Sequence, residues 1–140
     1  LDGSGRVQRL FPNYREVEQE YYQRTGFFPI MHLVVVRRAL YQEHTWVAAS
    51  LLRAFVQAQR IGWERLQRID SLQVLLPWLP AEIEATTALM GLNHWKQGFA
   101  ENYDILDSMC QYHREQGLSK RRLSAEELFA TETHEVSLEL

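Results

Sequence analysis

Two side chains at the end of the first predicted helix have the chemistry needed to handle a small carboxylic acid. Arg24 and His32 bracket the run Arg24-Thr25-Gly26-Phe27-Phe28-Pro29-Ile30-Met31-His32. The planar guanidinium of arginine can bind a carboxylate through two parallel hydrogen bonds. An imidazole can donate or accept a proton near neutral pH. Two plainer interpretations stay open: Arg24 as a solvated charge and His32 as a hydrogen-bonded histidine inside the core.

Two tryptophans add candidate contacts for an aromatic ligand. Trp78 and Trp95 fall in predicted loops, where large aromatic side chains often line ligand clefts. The sequence therefore yields four candidate site residues. His32 is the candidate catalytic residue, and the candidates for substrate binding are Arg24, Trp78 and Trp95.

The sequence predicts neither a metal site nor a bound cofactor. The five histidines (His32, His44, His94, His113 and His134) do not pair at the spacing of a zinc site, and no carboxylate pair completes a facial triad. No glycine-rich phosphate loop is present. Cys110 is the single cysteine, so neither an intramolecular disulfide nor a thiolate cluster can form. Its place on the apolar stripe of a helix predicts a core position.

The composition limits the classes of binding partner that this chain is expected to have. The 140 residues carry 15 basic and 18 acidic side chains, a net charge of −3, which argues against a nucleic-acid partner. No apolar run approaches the roughly 20 residues that a membrane-spanning helix needs. The start Leu1-Asp2-Gly3 has neither an initiator Met nor an apolar leader, so we expect a longer parent sequence. The expected location is the cytoplasm, or the periplasm if a missing N-terminal region carries a signal peptide.

Capping residues and apolar spacing predict a mostly helical chain. Residues 1–10 are expected to be a flexible lead and residues 131–140 a tail. The helix signals between them are Asn13 and Gly26 around the first helix, a short helix at 37–44, Thr45 before a long helix, Pro80 and Gly91 around the next, a long helix ending at Gly117, and a capping box at Ser124–Glu127.

One segment has the character of a buried β-strand. Phe28–Val36 is short, nearly continuously apolar and rich in β-branched residues. A strand needs neighbours for its backbone hydrogen bonds, and Leu72–Leu76 is only a weak second candidate. We therefore expect one or two strands in this chain. Their neighbours would come from a missing N-terminal segment or from another subunit.

Six stretches carry a family likeness. The chain resembles the C-terminal part of 4,5-dihydroxyphthalate decarboxylase-like proteins, which are similar to type 2 periplasmic-binding proteins with two α/β lobes. The resemblance implies an α/β fold in which residues 11–130 form the C-terminal segment of such a domain. The matching stretches are Leu10–Tyr14, Arg24–His32, Trp46–Ala48, Leu76–Trp78, Tyr112–Leu118 and Leu123–Phe129.

The resemblance also implies a reaction, the non-oxidative decarboxylation of a dihydroxylated aromatic dicarboxylate without a cofactor. His32 would be the proton donor or the hydroxyl partner, and Arg24 would hold the second carboxylate. The isolated chain is expected to be inactive because half of the cleft is absent. The alternatives are a solute-binding protein for a small aromatic or heterocyclic acid, and a structural module that dimerises through its unpaired strand.

One loop departs from the family pattern. This chain has Trp95-Lys96-Gln97-Gly98 where family members often have Trp-Pro-Tyr-Gly. A loop facing the ligand would influence which substrate is accepted.

Overall fold

The computed structural model describes residues 6–71 and 73–136, and this part of the chain is mostly helical. Two 3₁₀ helices accompany the α-helices in the described residues. The prediction of a mostly helical chain is confirmed. The α-helices are α1 (Tyr14–Thr25), α2 (Arg38–Glu43), α3 (Trp46–Leu66), α4 (Leu79–Met90), α5 (Tyr103–Glu115) and α6 (Ala125–Leu128), and the 3₁₀ helices are Ala100–Asn102 and Thr131–Thr133.

Local capping signals set several of these boundaries. Gly26 ends α1 in the left-handed conformation, with φ of 68°, and its backbone N–H donates to the carbonyl oxygen of Tyr22 at 2.7 Å. At the start of α6 the backbone N–H of Ser124 donates to Oε2 of Glu127 at 2.9 Å, as the predicted capping box requires. Pro80 lies in the first turn of α4. These helix ends agree with the sequence prediction.

The predicted strand at Phe28–Val36 is wrong for the described part of the chain. Residues 26–37 connect α1 to α2 without forming a strand, and residues 73–76 form none either; Leu72 lies outside the described residues. A β-ladder needs a second strand, and none is present in 6–71 or 73–136 to supply one. The apolar side chains are instead exposed, with Val34 63% and Val35 88% accessible. The described residues therefore form none of the strands that the expected α/β fold contains.

Contacts between helices join distant parts of the chain. Helix α1 packs against α4, where Arg15 donates two hydrogen bonds to the Glu82 carboxylate at 3.1 and 2.9 Å. Helix α2 and the 3₁₀ helix Thr131–Thr133 both pack against α3. The Tyr41 hydroxyl of α2 donates to Glu132 at 2.5 Å. Residues 131–136 of the predicted tail thus pack on the fold, whereas 1–5 of the predicted lead and 137–140 lie outside the described residues.

The hydrophobic core is small and centred on one phenylalanine. Phe99 is buried together with Leu106 and Ala125, and Phe129 packs against this cluster. The Phe99 ring stacks on His134 at 4.2 Å between centroids. Cys110 is only 2% exposed, which confirms its predicted core position, and burial raises the pKa of its thiol.

A large apolar surface remains uncovered. The accessible surface is 11218 Å². A compact protein of the same 16.5 kDa mass exposes about 7600 Å². Part of the excess comes from the segment between α1 and α2, where Met31, Leu33, Val34 and Val35 are each more than half exposed. Within the described ranges no helix is both long enough and apolar enough to cross a bilayer.

Candidate functional site

The exposed segment between α1 and α2 forms one wall of a groove of about 1090 Å³. The rest of the groove is lined by one face of α3, the loop 94–98, the first turns of α5 and residues 126–133. This volume is slightly larger than the roughly 300–1,000 Å³ that is usual for small-molecule sites. Apolar atoms make up most of the surface of the groove, and charged and other polar side chains line it as well.

Two of the four predicted site residues line this groove. They are His32, from the segment between α1 and α2, and Trp95, from the loop 94–98. The Trp95 ring lies 5.0 Å from the Phe28 ring, between centroids, with the planes tilted by 55°. The contact joins the segment that carries His32 to the loop that carries Trp95. His32 is exposed and can therefore reach a bound molecule.

The other two predicted residues lie outside the groove lining. The Arg24 guanidinium is over the Tyr21 ring, 5.5 Å from its centroid, on the surface of α1. Trp78 is 77% exposed at the start of α4. Their proposed contacts with a ligand stay predictions.

Side-chain amides hold the backbone of the loop that presents Trp95. Nε2 of Gln59, from α3, donates to the carbonyl oxygen of Trp95 at 2.7 Å. Nδ2 of Asn102 donates to two further carbonyl oxygens, those of Lys96 at 3.2 Å and Gly98 at 2.8 Å. Asn102 is only 8% exposed, and its donors satisfy carbonyl groups that would otherwise need water.

The loop ends in a glycine turn beside the core. Gly98 has a φ of 88°, a left-handed conformation that costs a residue with a Cβ atom about 1–2 kcal/mol. Directly after it, Phe99 enters the hydrophobic core. The turn at Gly98 therefore separates the groove-lining loop from Phe99, which packs in the core.

Charged side chains of both signs line the groove. Arg38 and Lys96 are basic, whereas Glu101, Asp104, Glu126 and Glu127 are acidic. The pKa of Glu127 is lowered to about 2, chiefly because Arg121 donates hydrogen bonds to it at 2.8 and 2.9 Å. Glu126 accepts a hydrogen bond from the Tyr103 hydroxyl, which raises the pKa of Tyr103. These last two acids, Glu126 and Glu127, are thus engaged by partners within the protein.

Several groove residues were missed by the sequence prediction. Lys96 and His94 flank Trp95, so their position next to a candidate residue was an available signal. Nδ1 of His94 lies 3.1 Å from the carbonyl oxygen of Gly91, which the Nδ1–H tautomer can donate to. Arg38 and Tyr41 reach the groove only because α2 packs on α3, which no local pattern reveals.

The described side chains offer acid–base, aromatic and cationic groups. In residues 6–71 and 73–136, no three His, Cys, Asp or Glu side chains come together to hold a metal ion. An imidazole, an indole, an ammonium and a guanidinium group line one groove. Such a set can bind an aromatic acid and can move a proton.

Comparison with known proteins agrees with the resemblance inferred from sequence. No protein-family model matches the chain. Over 137 residues the chain is 35% identical to 4,5-dihydroxyphthalate decarboxylase of Comamonas testosteroni. The match covers 98% of this chain and 40% of that relative. The predicted likeness is therefore confirmed, because nearly the whole chain is similar to a 4,5-dihydroxyphthalate decarboxylase. The chain spans less than half the length of that relative.

Proposed function

We propose that this chain is part of a decarboxylase that acts on a dihydroxylated aromatic dicarboxylate of the 4,5-dihydroxyphthalate type. The observation that carries the proposal is the 35% identity to such a decarboxylase over 98% of the chain. The presence of His32 and Trp95 in the lining of one groove supports the proposal, because an imidazole that transfers protons and an indole that packs on an aromatic ring can both serve a ligand bound there.

The reaction replaces one carboxylate of the ring by a proton. An imidazolium donates a proton to the ring carbon that bears the leaving carboxylate, and a new C–H bond forms. The resulting cationic ring is stabilised by the hydroxyl group para to that carbon. The C–C bond then breaks, its electron pair restores the aromatic ring, and CO2 leaves. The imidazole regains its proton from solvent.

In this proposal His32 is the proton donor and Trp95 packs on the ring of the substrate. A ring held between Trp95 and the opposite wall would be shielded from water, which favours loss of a neutral CO2 molecule from a charged carboxylate. The Arg24 clamp is kept as part of the proposal. It requires a second wall that brings the ligand to the outer surface of α1.

The remainder of the fold is part of the same proposal. We infer a two-lobed arrangement like that of type 2 periplasmic-binding proteins, with residues 11–130 as one segment of it. Further segments of that arrangement would cover apolar side chains that are exposed here. The exposure of Val34 and Val35 supports this inference, because it leaves apolar surface available for such segments.

The test uses the complete gene product and measures CO2 release from 4,5-dihydroxyphthalate. We expect release by the unaltered protein and a fall in turnover of about 100- to 10,000-fold in His32→Asn and His32→Gln. Binding of phthalate, which has the carboxylates but no hydroxyl groups, should change little in these variants. His44→Asn is the matched control, because His44 lies outside the groove lining.

Two results would contradict the proposal in different ways. Unchanged turnover in His32→Asn would remove His32 as the proton donor while leaving the reaction in place. Tight binding of the dihydroxylated acid by the unaltered protein, with no release of CO2, would contradict the decarboxylase proposal and favour a solute-binding protein.

A further inference from the structure

We propose that the loop 95–98 is the subsite for one carboxylate of the ligand. In it, Lys96 is the residue that recognises the carboxylate and Asn102 is a positioning residue. The inference rests on the proposed function, because it assumes an aromatic acid in the groove. It adds a residue, Lys96, that determines which acid is accepted.

The position of Lys96 is the first argument. Lys96 follows Trp95 directly, and both line the groove. An aromatic ring placed against the Trp95 indole would carry its substituents within reach of the next side chain along the loop. An ammonium group there forms charge-assisted hydrogen bonds with a carboxylate, and these are stronger than bonds between neutral groups.

The second argument is the way in which the loop is held. Asn102 is 8% exposed and donates to the carbonyl oxygens of Lys96 and Gly98, at 3.2 and 2.8 Å. Gln59 donates to Trp95 at 2.7 Å. Within the described residues, Oε1 of Gln59 is buried without a hydrogen-bond partner. A buried acceptor without a partner is energetically unfavourable. Gln59 thus makes the hydrogen bond to the Trp95 carbonyl oxygen while its own Oε1 stays unpaired.

The charge around the groove favours a local site over a general attraction for anions. Four acidic side chains and two basic ones line it, so the groove as a whole does not attract anions by its net charge. A carboxylate must therefore be recognised at one point. Glu127 is paired with Arg121 and Glu126 accepts from Tyr103, so these two carboxylates already have partners and are less available to pair with Lys96.

The experiment compares the complete gene product with three variants and a control. Affinity is measured for phthalate, a dianion, and for catechol, a neutral ring with two hydroxyl groups. Lys96→Met removes the charge, Lys96→Arg keeps it, and Asn102→Ala frees the loop. Lys120→Met is the matched control, because Lys120 is exposed and lies outside the groove lining.

We expect Lys96→Met to weaken phthalate binding about 10- to 100-fold and catechol binding less than about twofold. Lys96→Arg should retain most of the affinity for phthalate. Asn102→Ala should weaken both ligands although Lys96 and Trp95 are intact, because the loop no longer holds them. In turnover, Lys96→Met should raise KM far more than it lowers kcat.

Wild-type affinity for phthalate in Lys96→Met would overturn the subsite. The same affinity in a folded Asn102→Ala protein, judged by its thermal melt, would overturn the positioning role. If the unaltered protein releases no CO2 but its phthalate affinity depends on Lys96, the proposed reaction fails and the subsite stands. If CO2 is released and Lys96→Met keeps the original KM, the reaction stands and the subsite fails.

Discussion

Replacing Phe99 by alanine tests whether one ring holds together both the core and the groove loop. Phe99 is 8% exposed and packs with Leu106 and Ala125. Its ring contacts those of Tyr103, Phe129 and His134, at 5.7, 5.6 and 4.2 Å between centroids. Alanine would leave a cavity that these groups can fill only by moving.

The expected cost follows from that burial. Removing a buried phenylalanine ring costs about 3–5 kcal/mol, whereas a domain of this kind is stable by about 5–15 kcal/mol. For a chain of 140 residues this corresponds to a fall in Tm of about 10–20 °C. The lower part of that range is the better expectation, because the surroundings of a small core can partly collapse into the cavity.

Thermal and urea denaturation of the 140-residue chain, followed by circular dichroism, measure this loss. The matched control is Phe11→Ala, since Phe11 is 53% exposed and its removal should change stability by less than about 0.5 kcal/mol. A Phe99→Ala chain that melts within about 2 °C of the unaltered chain would refute the reasoning, since that shift is under 1 kcal/mol. The centre of the core would then lie elsewhere.

Two further predictions concern helix ends and acid stability. Glycine-to-alanine changes at Gly26 and Gly62 should act in opposite directions in urea denaturation, although a Cβ atom meets open space at both sites. Gly26, with φ of 68°, should lose about 1 kcal/mol, whereas Gly62, inside α3, should gain about 0.5–1 kcal/mol; losses at both would contradict this assignment. The pKa of Glu127 falls from its ordinary 4.5 to about 2 on folding, so the ionised form is the stabilised one. Its contribution is complete above about pH 4.5 and is lost as the pH falls toward 2. Acid unfolding of Glu127→Gln should therefore depend less steeply on pH in that window, and an identical pH dependence would contradict the role of the Arg121 pair.

The helices were predictable because their signals are local. A glycine that can adopt positive φ ends α1 at Gly26, and Ser124 and Glu127 satisfy backbone donors within the same turn. The conformation of Phe28–Val36 was not predictable in this way, because the hydrogen bonds of a strand require a partner strand from elsewhere in the sequence. The β-branched residues Val34–Val36 favour extended backbone, but preference alone does not create a ladder.

The lining of the groove was predictable only in part for a related reason. His32 and Trp95 were chosen by residue type, and the fold brings them to one groove. Arg24 was chosen by the same reasoning, yet the packing of α1 against α4 leaves it beside Tyr21 on the outer surface. Which face of a helix meets a groove depends on its neighbours. The pattern within the helix does not contain that information.

The amide clamps on the loop 95–98 contact carbonyl oxygens and leave its side chains untouched. Gln59 and Asn102 would make the same hydrogen bonds whatever residues stood at positions 95–97. A protein built in this way can exchange the groups that meet its ligand without losing the backbone that presents them. Substitutions at positions 95–97 can therefore change ligand preference with little effect on the free energy of unfolding. Substitutions at Gly98 or Phe99 would lower it.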